Sequence, residues 1–204
     1  MEHILHLSKD KKLKKIIDLQ EPYVLKRHNN VCLHLCYSIM SQQLSTKVAA
    51  VFHQRFLDLY NGKDPAIRQI VETPFETLRG IGLSNAKANY VLNVSRFFIE
   101  EKITDEKLHK MSNEEVIKYL TQIKGVGQWT VEMILMFTLG REDVFAVDDL
   151  GIQQAICKLY KVSPDDKKAM KEKMLSVSKK WSPYRTYACR YLWGWKDNAP
   201  EPKT

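Results

Sequence analysis

Apolar residues return every three or four positions along almost the whole chain, and period-two alternation never persists long enough to argue for a sheet. Ala88, Val91, Leu92, Ser95, Phe98 and Ile99 make one such face. Val116, Ile117, Leu120 and Ile123 make a second, and Met170, Met174, Val177 and Trp181 a third. Start signals precede these faces: Asp64-Pro65, Thr73-Pro74-Phe75-Glu76, Ser84, Ser112-Asn113-Glu114-Glu115 and Ser163-Pro164-Asp165-Asp166. Each offers an N-cap candidate, several with proline at the first helical position or an acid at the third. Residues 129–139 (WTVEMILMFTL) are apolar on nearly every side, as expected of a helix in the centre of a domain. The expectation is an all-α protein of roughly ten short helices. Residues 1–204 read as a single compact helical unit, and only the tail 196–204 (KDNAPEPKT) reads as loose.

Composition narrows the function classes. Of 204 residues, 44% are hydrophobic and 27% charged, which excludes a disordered or fibrous chain. No uncharged apolar run approaches the roughly eighteen residues of a membrane span. The start, MEHILHLSKDKKLKK, lacks the basic-then-apolar order and the small-residue cleavage site of a signal peptide. No membrane partner is expected, and the location reads as cytoplasmic in a bacterium or nuclear in a eukaryote. Cys32, Cys36, Cys157 and Cys189 contain no C-x-x-C pair, so zinc-site spacing is missing and buried thiols are the expectation.

Basic residues outnumber acidic ones, 32 to 24, for a net charge of +8, which favours an anionic partner. The surplus sits at the ends. Residues 1–27 are net +3 and residues 161–204 net +6, while residues 28–160 are net −1. The lysines of the last segment read equally well as a solvated helix face.

Two stretches echo each other: Leu78-Arg79-Gly80-Ile81-Gly82 and, forty-five residues on, Ile123-Lys124-Gly125-Val126-Gly127. Each reads as a helix end, a Gly-apolar-Gly turn and a new helix. Ordinary αα-turns account for the pattern. So does an anion site, because glycine lets the backbone approach closely and N–H groups at a helix N-terminus hold a phosphate. The second turn, with a helix on each side at about 112–139, reads as a helix-hairpin-helix. About twenty residues past it, Asp148-Asp149 opens another helix after an apolar run. One acid serves as an N-cap; a second carboxylate beside the most apolar helix in the chain is costly unless it has work to do.

The segment IKGVGQWTVEMILMFTLGREDVFAVDDLGIQ resembles the hairpin-plus-aspartate signature of the helix-hairpin-helix DNA glycosylase superfamily, in its 3-methyladenine DNA glycosylase II branch. Residues 38–49 (SIMSQQLSTKVA), 78–91 (LRGIGLSNAKANYV) and 181–195 (WSPYRTYACRYLWGW) agree with it in the same order. The resemblance implies two helical lobes with the active site in the cleft between them, working as a monomer on duplex DNA that contains damaged bases. It implies Asp149 as the catalytic carboxylate, with Asp148, Trp129 and Trp193 at the base pocket. Gln42, Gln43 and Leu44 fall where the family places the loop that fills the gap left by an extruded nucleotide. Lys124, Gly125, Val126, Gly127 and Thr130 fall where it places the DNA-binding turn. Core positions for both tryptophans, and a plain polar loop at 42–44, remain the alternatives from spacing alone.

Lyase members of the superfamily carry a lysine two residues after the hairpin's last glycine; here that position is Trp129. The resemblance therefore implies hydrolysis without backbone cleavage. Only Cys189 occurs where other branches place four cluster cysteines, so no cofactor and no metal centre are expected; the resemblance alone leaves room for a structural monovalent cation on the hairpin carbonyls. Met133 stands where some relatives place another pocket aromatic, which leaves a glycosylase for a different base as an alternative. A non-enzymatic hairpin DNA-binding module is the alternative from another class.

Overall fold

Capping chemistry sets many of the element boundaries. Ser112 accepts from the Glu115 N–H while the Glu115 carboxylate accepts from the Ser112 N–H, starting a helix at Asn113. Ser84, Asp149 and Asp166 cap the helices that follow them through the same kind of bond. The computed structural model describes residues 1–198. Among these the chain forms thirteen helices and falls into two units, a central one (Arg27–Leu139) and a terminal one (Met1–Lys26 with Gly140–Thr204).

The central unit holds α3 (Val31–Ser41), α4 (Thr46–Asp58), α5 (Ile67–Glu72), α6 (Phe75–Gly80), α7 (Asn85–Glu100), α8 (Asp105–Lys110), α9 (Asn113–Leu120) and α10 (Gln128–Phe137). Helix α7 packs on α3, α5 and α6, while α10 packs on α3 and α9. Cys32, Cys36, Ala88, Val91, Val131 and Leu135 are buried here, and the Ser95 hydroxyl lies against both thiols. Asp105 of α8 caps α3, accepting from the N–H groups of Asn30 and Val31.

The terminal unit holds α1 (Glu2–Leu7), α2 (Lys11–Ile17), α11 (Leu150–Tyr160), α12 (Lys167–Lys179) and α13 (Arg185–Asp197). Helix α11 packs on α2, α12 and α13, so the two chain ends share one core. Asp10 ties them together: Oδ1 caps α2, while Oδ2 accepts from the Tyr160 hydroxyl and the buried Trp181 indole. This unit carries 19 basic and 13 acidic side chains against 13 and 11 in the central unit, so most of the surplus charge collects in it.

Several expectations change. Thirteen helices replace about ten because α1, α5, α6 and α8 have six residues each, too few to repeat a helical face. Asp64-Pro65 starts nothing; α5 begins at Ile67, where the Gln69 side chain accepts from the Ala66 N–H. Ile99, counted in the core face of α7, is 37% exposed. Lys196 and Asp197 complete α13 rather than a loose tail, whose residues 199–204 lie outside the described ones.

The glycine echo is real in space but shifted in register. The left-handed residue is the second glycine of the first turn, Gly82 (φ +103°), and the first glycine of the second, Gly125 (φ +104°). The structural equivalents are therefore Gly82-Leu83-Ser84 and Gly125-Val126-Gly127: a left-handed glycine, a buried aliphatic and an extended N-cap. Matching letters placed the wrong glycines opposite each other.

Candidate active site

The terminal unit carries the candidate carboxylate, Asp149. The loop that precedes α11 is clamped to the start of α13. Arg185 donates from Nε to Asp143 Oδ1 (2.6 Å) and from Nη2 to Oδ2 (3.0 Å), a forked pair with strong directional preference. The Ser182 hydroxyl also donates to Asp143 (2.8 Å). Thr186 donates its hydroxyl to the Arg141 carbonyl and accepts the Val144 N–H. Burial opposes the ionised form of Asp143, but its bonds to Arg185 and Ser182 outweigh that and hold its pKa below the ordinary carboxylate value. The loop thus has little freedom where it delivers Asp149.

Asp149 is 9% exposed and is both the N-cap of α11 and the carboxylate that the resemblance singles out. Its Oδ1 accepts from the Ile152 N–H (2.8 Å) and from the Trp193 indole Nε1–H (2.9 Å). The expectation that capping and special placement would fall on different acids is thus replaced by one residue doing both. Gly151 makes room for the pair: a Cβ there would stand 3.1 Å from both Asp149 Oδ1 and Trp193 Cδ1.

Asp148 stands apart from that pair. It is exposed, 3.6 Å from Lys171 Nζ, and lines a separate cavity of about 530 Å³ between α11 and α12 with Leu150, Cys157, Met170 and Lys171.

The central unit, taken by itself, carries the hairpin turn and the 42–44 loop. Lys124 and Gly127 are exposed and Gly125 half-buried. Gly127 caps α10 without a side-chain bond to the first turn of that helix, the end at which backbone N–H groups favour an anion. Val126 and Thr130 contribute less than expected. Val126 is buried and its N–H is taken by the Ile123 carbonyl. Thr130 is 3% exposed, so its hydroxyl is not presented at the surface. Tyr90 supports the turn: a Cβ on Gly125 would fall inside its ring.

Gln42, Gln43 and Leu44 form the connection between α3 and α4, with Gln43 in the left-handed region (φ 60°). That conformation costs a non-glycine residue roughly 1 kcal/mol, and such costs concentrate at functional loops. The loop residues line a cavity of about 590 Å³ with Lys87, Tyr90 and Trp129, so three of the motif stretches converge there. Trp129 is 40% exposed in spite of sitting on the most apolar helix of the chain. The Ser41 hydroxyl donates to the Tyr37 carbonyl, and His53 Nε2 is 2.9 Å from Ser41 Oγ, fixing the last turn of α3 from the α4 side.

Sequence reasoning missed Lys87, Tyr90, Asn93, Asp143 and Arg185. The first two lie inside the 78–91 stretch, and the spacing of Lys87, Tyr90 and Asn93 marks one helical face distinct from the apolar one.

A helical chain with a glycine hairpin turn between α9 and α10 defines a helix-hairpin-helix protein. The chain belongs to the HhH-GPD superfamily of base excision DNA repair proteins, matched over residues 36–180. Bacillus subtilis YfjP is 37% identical over 178 residues, covering 84% of this chain and 60% of its own length. Schizosaccharomyces pombe DNA-3-methyladenine glycosylase 1 is 36% identical over 185 residues, covering 90% of this chain and 80% of its own. The solved structure of S. pombe Mag1 in complex with abasic DNA superposes with a TM-score of 0.87 at 34% identity, covering 100% of both chains. Among the described residues no helix is long and apolar enough to cross a membrane.

Proposed function

We propose that the protein is a monofunctional DNA glycosylase that hydrolyses the N-glycosidic bond of alkylated, cationic purines in duplex DNA, opening base-excision repair. The observation that carries the reading is the buried Asp149 carboxylate, held by the Trp193 indole and the Ile152 amide. The name and abasic-DNA complex of the S. pombe relatives support the same substrate class.

A base inside the stack is out of reach, so the nucleotide must be extruded at a cost of a few kcal/mol. Insertion of Gln42, Gln43 or Leu44 into the gap offsets part of that cost. The half-exposed Trp129 ring offers a π-face to a flat cationic base, an attraction of about 2 kcal/mol once desolvated. Breaking the glycosidic bond develops positive charge on the sugar. A carboxylate already fixed in place stabilises that charge without reorganising, and Asp149 also orients the attacking water.

The amines at hand support hydrolysis rather than lyase chemistry. Trp129 occupies the Schiff-base position, and Lys87, the lysine lining the same cavity, spends its ammonium on the Met40 and Gln42 carbonyls. The hairpin carbonyls are hard oxygen donors suited to a monovalent cation; those of Ile123 and Lys124 already accept one hydrogen bond each and would share it.

Incubation with methylated duplex DNA and chromatography of the released bases tests the reading. Release of 3-methyladenine or 7-methylguanine is expected, with strands intact until alkali treatment and no adduct trapped by borohydride. Folded protein that releases neither base overturns the substrate class. A borohydride-trapped adduct overturns the hydrolytic mechanism.

A further inference from the structure

One face of α7 reaches two separate parts of the candidate site. Lys87, Tyr90 and Asn93 stand three residues apart, so they rise along the same side of the helix. Lys87 Nζ donates to the Met40 carbonyl (2.9 Å) and the Gln42 carbonyl (2.7 Å), at the point where α3 ends and the 42–44 loop begins. One turn on, the Tyr90 ring fills the space that a side chain on Gly125 would need. A further turn on, Asn93 Nδ2 donates to the Lys124 carbonyl at 3.3 Å. A single helix of 16 residues thus grips the loop and the hairpin turn at once.

We propose that Lys87 is a positioning residue: with Tyr90 and Asn93 it makes α7 a strut that holds the 42–44 loop at a fixed setting relative to the hairpin turn. Stack insertion and phosphate capture then engage the same stretch of duplex. The inference rests on the glycosylase reading given above.

The local chemistry favours this role. The carbonyls at a helix C-terminus carry the negative end of the dipole, and an ammonium placed there satisfies them while lowering their mutual repulsion. Partial burial draws the Lys87 pKa below the ordinary lysine value, as expected of a side chain committed to the protein rather than to solvent. Gln43 holds a left-handed conformation that relaxes once its neighbours are released. A loop that is already ordered inserts into the stack without further loss of entropy, whereas a loosened one must be ordered at the moment of insertion. Loss of Lys87 therefore weakens extrusion of the base and leaves cleavage of an extruded one alone.

The experiment measures single-turnover excision of 7-methylguanine from two duplexes, one with the lesion paired to cytosine and one with it opposite an abasic analogue, where extrusion is cheap. For Lys87→Met the paired rate should fall about tenfold or more, while the unpaired rate stays within about twofold of wild type. Lys87→Arg, which keeps the charge and the donors, should recover most of the paired rate. Equal losses on the two duplexes, or no loss on either, would overturn the proposal. If Lys87→Met is unfolded at the assay temperature, Lys87→Gln, which retains one amide donor, carries the same comparison. Wild-type protein inactive on both duplexes would overturn the glycosylase reading itself, and that outcome is visible before any variant is made.

Discussion

The Trp193 indole N–H and the Ile152 backbone N–H converge on one oxygen of Asp149, at 2.9 and 2.8 Å. The carboxylate is therefore oriented by two elements, the first turn of α11 and the last turns of α13. The same α13 clamps the preceding loop through Arg185 and Thr186 at its other end. Both bonds remove the freedom of the Asp149 side chain to rotate before any substrate arrives.

Asp149→Asn should abolish excision while leaving affinity for abasic-site DNA largely intact, because the amide keeps the size of the side chain but not its charge. Trp193→Phe removes one charge-assisted donor and should lower the excision rate about 10- to 100-fold. Fluorescence anisotropy and single-turnover assays separate the two effects. Wild-type turnover by Asp149→Asn would remove this residue from the mechanism.

Gly151→Ala tests the packing of the same pair. The added methyl would press on Asp149 Oδ1 and Trp193 Cδ1 at 3.1 Å, tighter than ordinary van der Waals contact. Helix propensity alone would make alanine the better residue by roughly 1 kcal/mol. The expected result is a several-fold slower enzyme with an unchanged or higher melting temperature. A faster enzyme would show that the pair has slack.

Helical class, the hairpin and the Asp148-Asp149 pair were legible in the sequence because each depends on neighbours within one or two turns. Ser112 capping Glu115, and glycine at the turn before Gln128, are local chemistry of that kind. What the sequence hid is chemistry between distant segments: Lys87 with Met40, Asn93 with Lys124, Arg185 with Asp143. No spacing rule encodes contacts across 31 to 47 residues. The glycine register failed for a related reason, since identical letters do not reveal which glycine carries the positive φ.

Stability should fall in two stages as pH drops. Burial pushes the His34 pKa below its usual value, with His28 and His53 adding to the effect and Asp64 and Asp105 opposing it. Burial lowers His53 as well. A depressed folded pKa means that the unfolded chain takes the proton first. The contribution is therefore full above about pH 6.5 and is lost as pH falls through the folded value. Asp10 and Asp143 act lower. Burial alone would raise Asp10, but the Tyr160 hydroxyl, the Leu13 N–H, the Trp181 indole and the Lys12 N–H together lower it. Its stabilisation is full above about pH 4 and disappears in stronger acid. Melting temperatures across pH 3–8 should show both stages, and His34→Gln should flatten only the upper one. A flat profile from pH 8 to 5 would contradict it.

The two glycines of the hairpin turn predict opposite outcomes for substitutions two residues apart. Gly125→Ala places a methyl inside the Tyr90 ring and demands a positive φ from an alanine, so it should lower both stability and DNA affinity. Gly127 has an ordinary extended φ of −91° and open space where a Cβ would go. Its structural counterpart, Ser84, accepts the Lys87 N–H with its hydroxyl, a side-chain cap that Gly127 cannot provide. Gly127→Ser should therefore raise stability by about 0.5 kcal/mol, through the new cap and a less flexible unfolded chain. It should also weaken binding to undamaged duplex DNA, because the serine competes with phosphate for the same N–H groups. Equal or tighter DNA binding by Gly127→Ser would mean that the hairpin does not hold a phosphate through its amides.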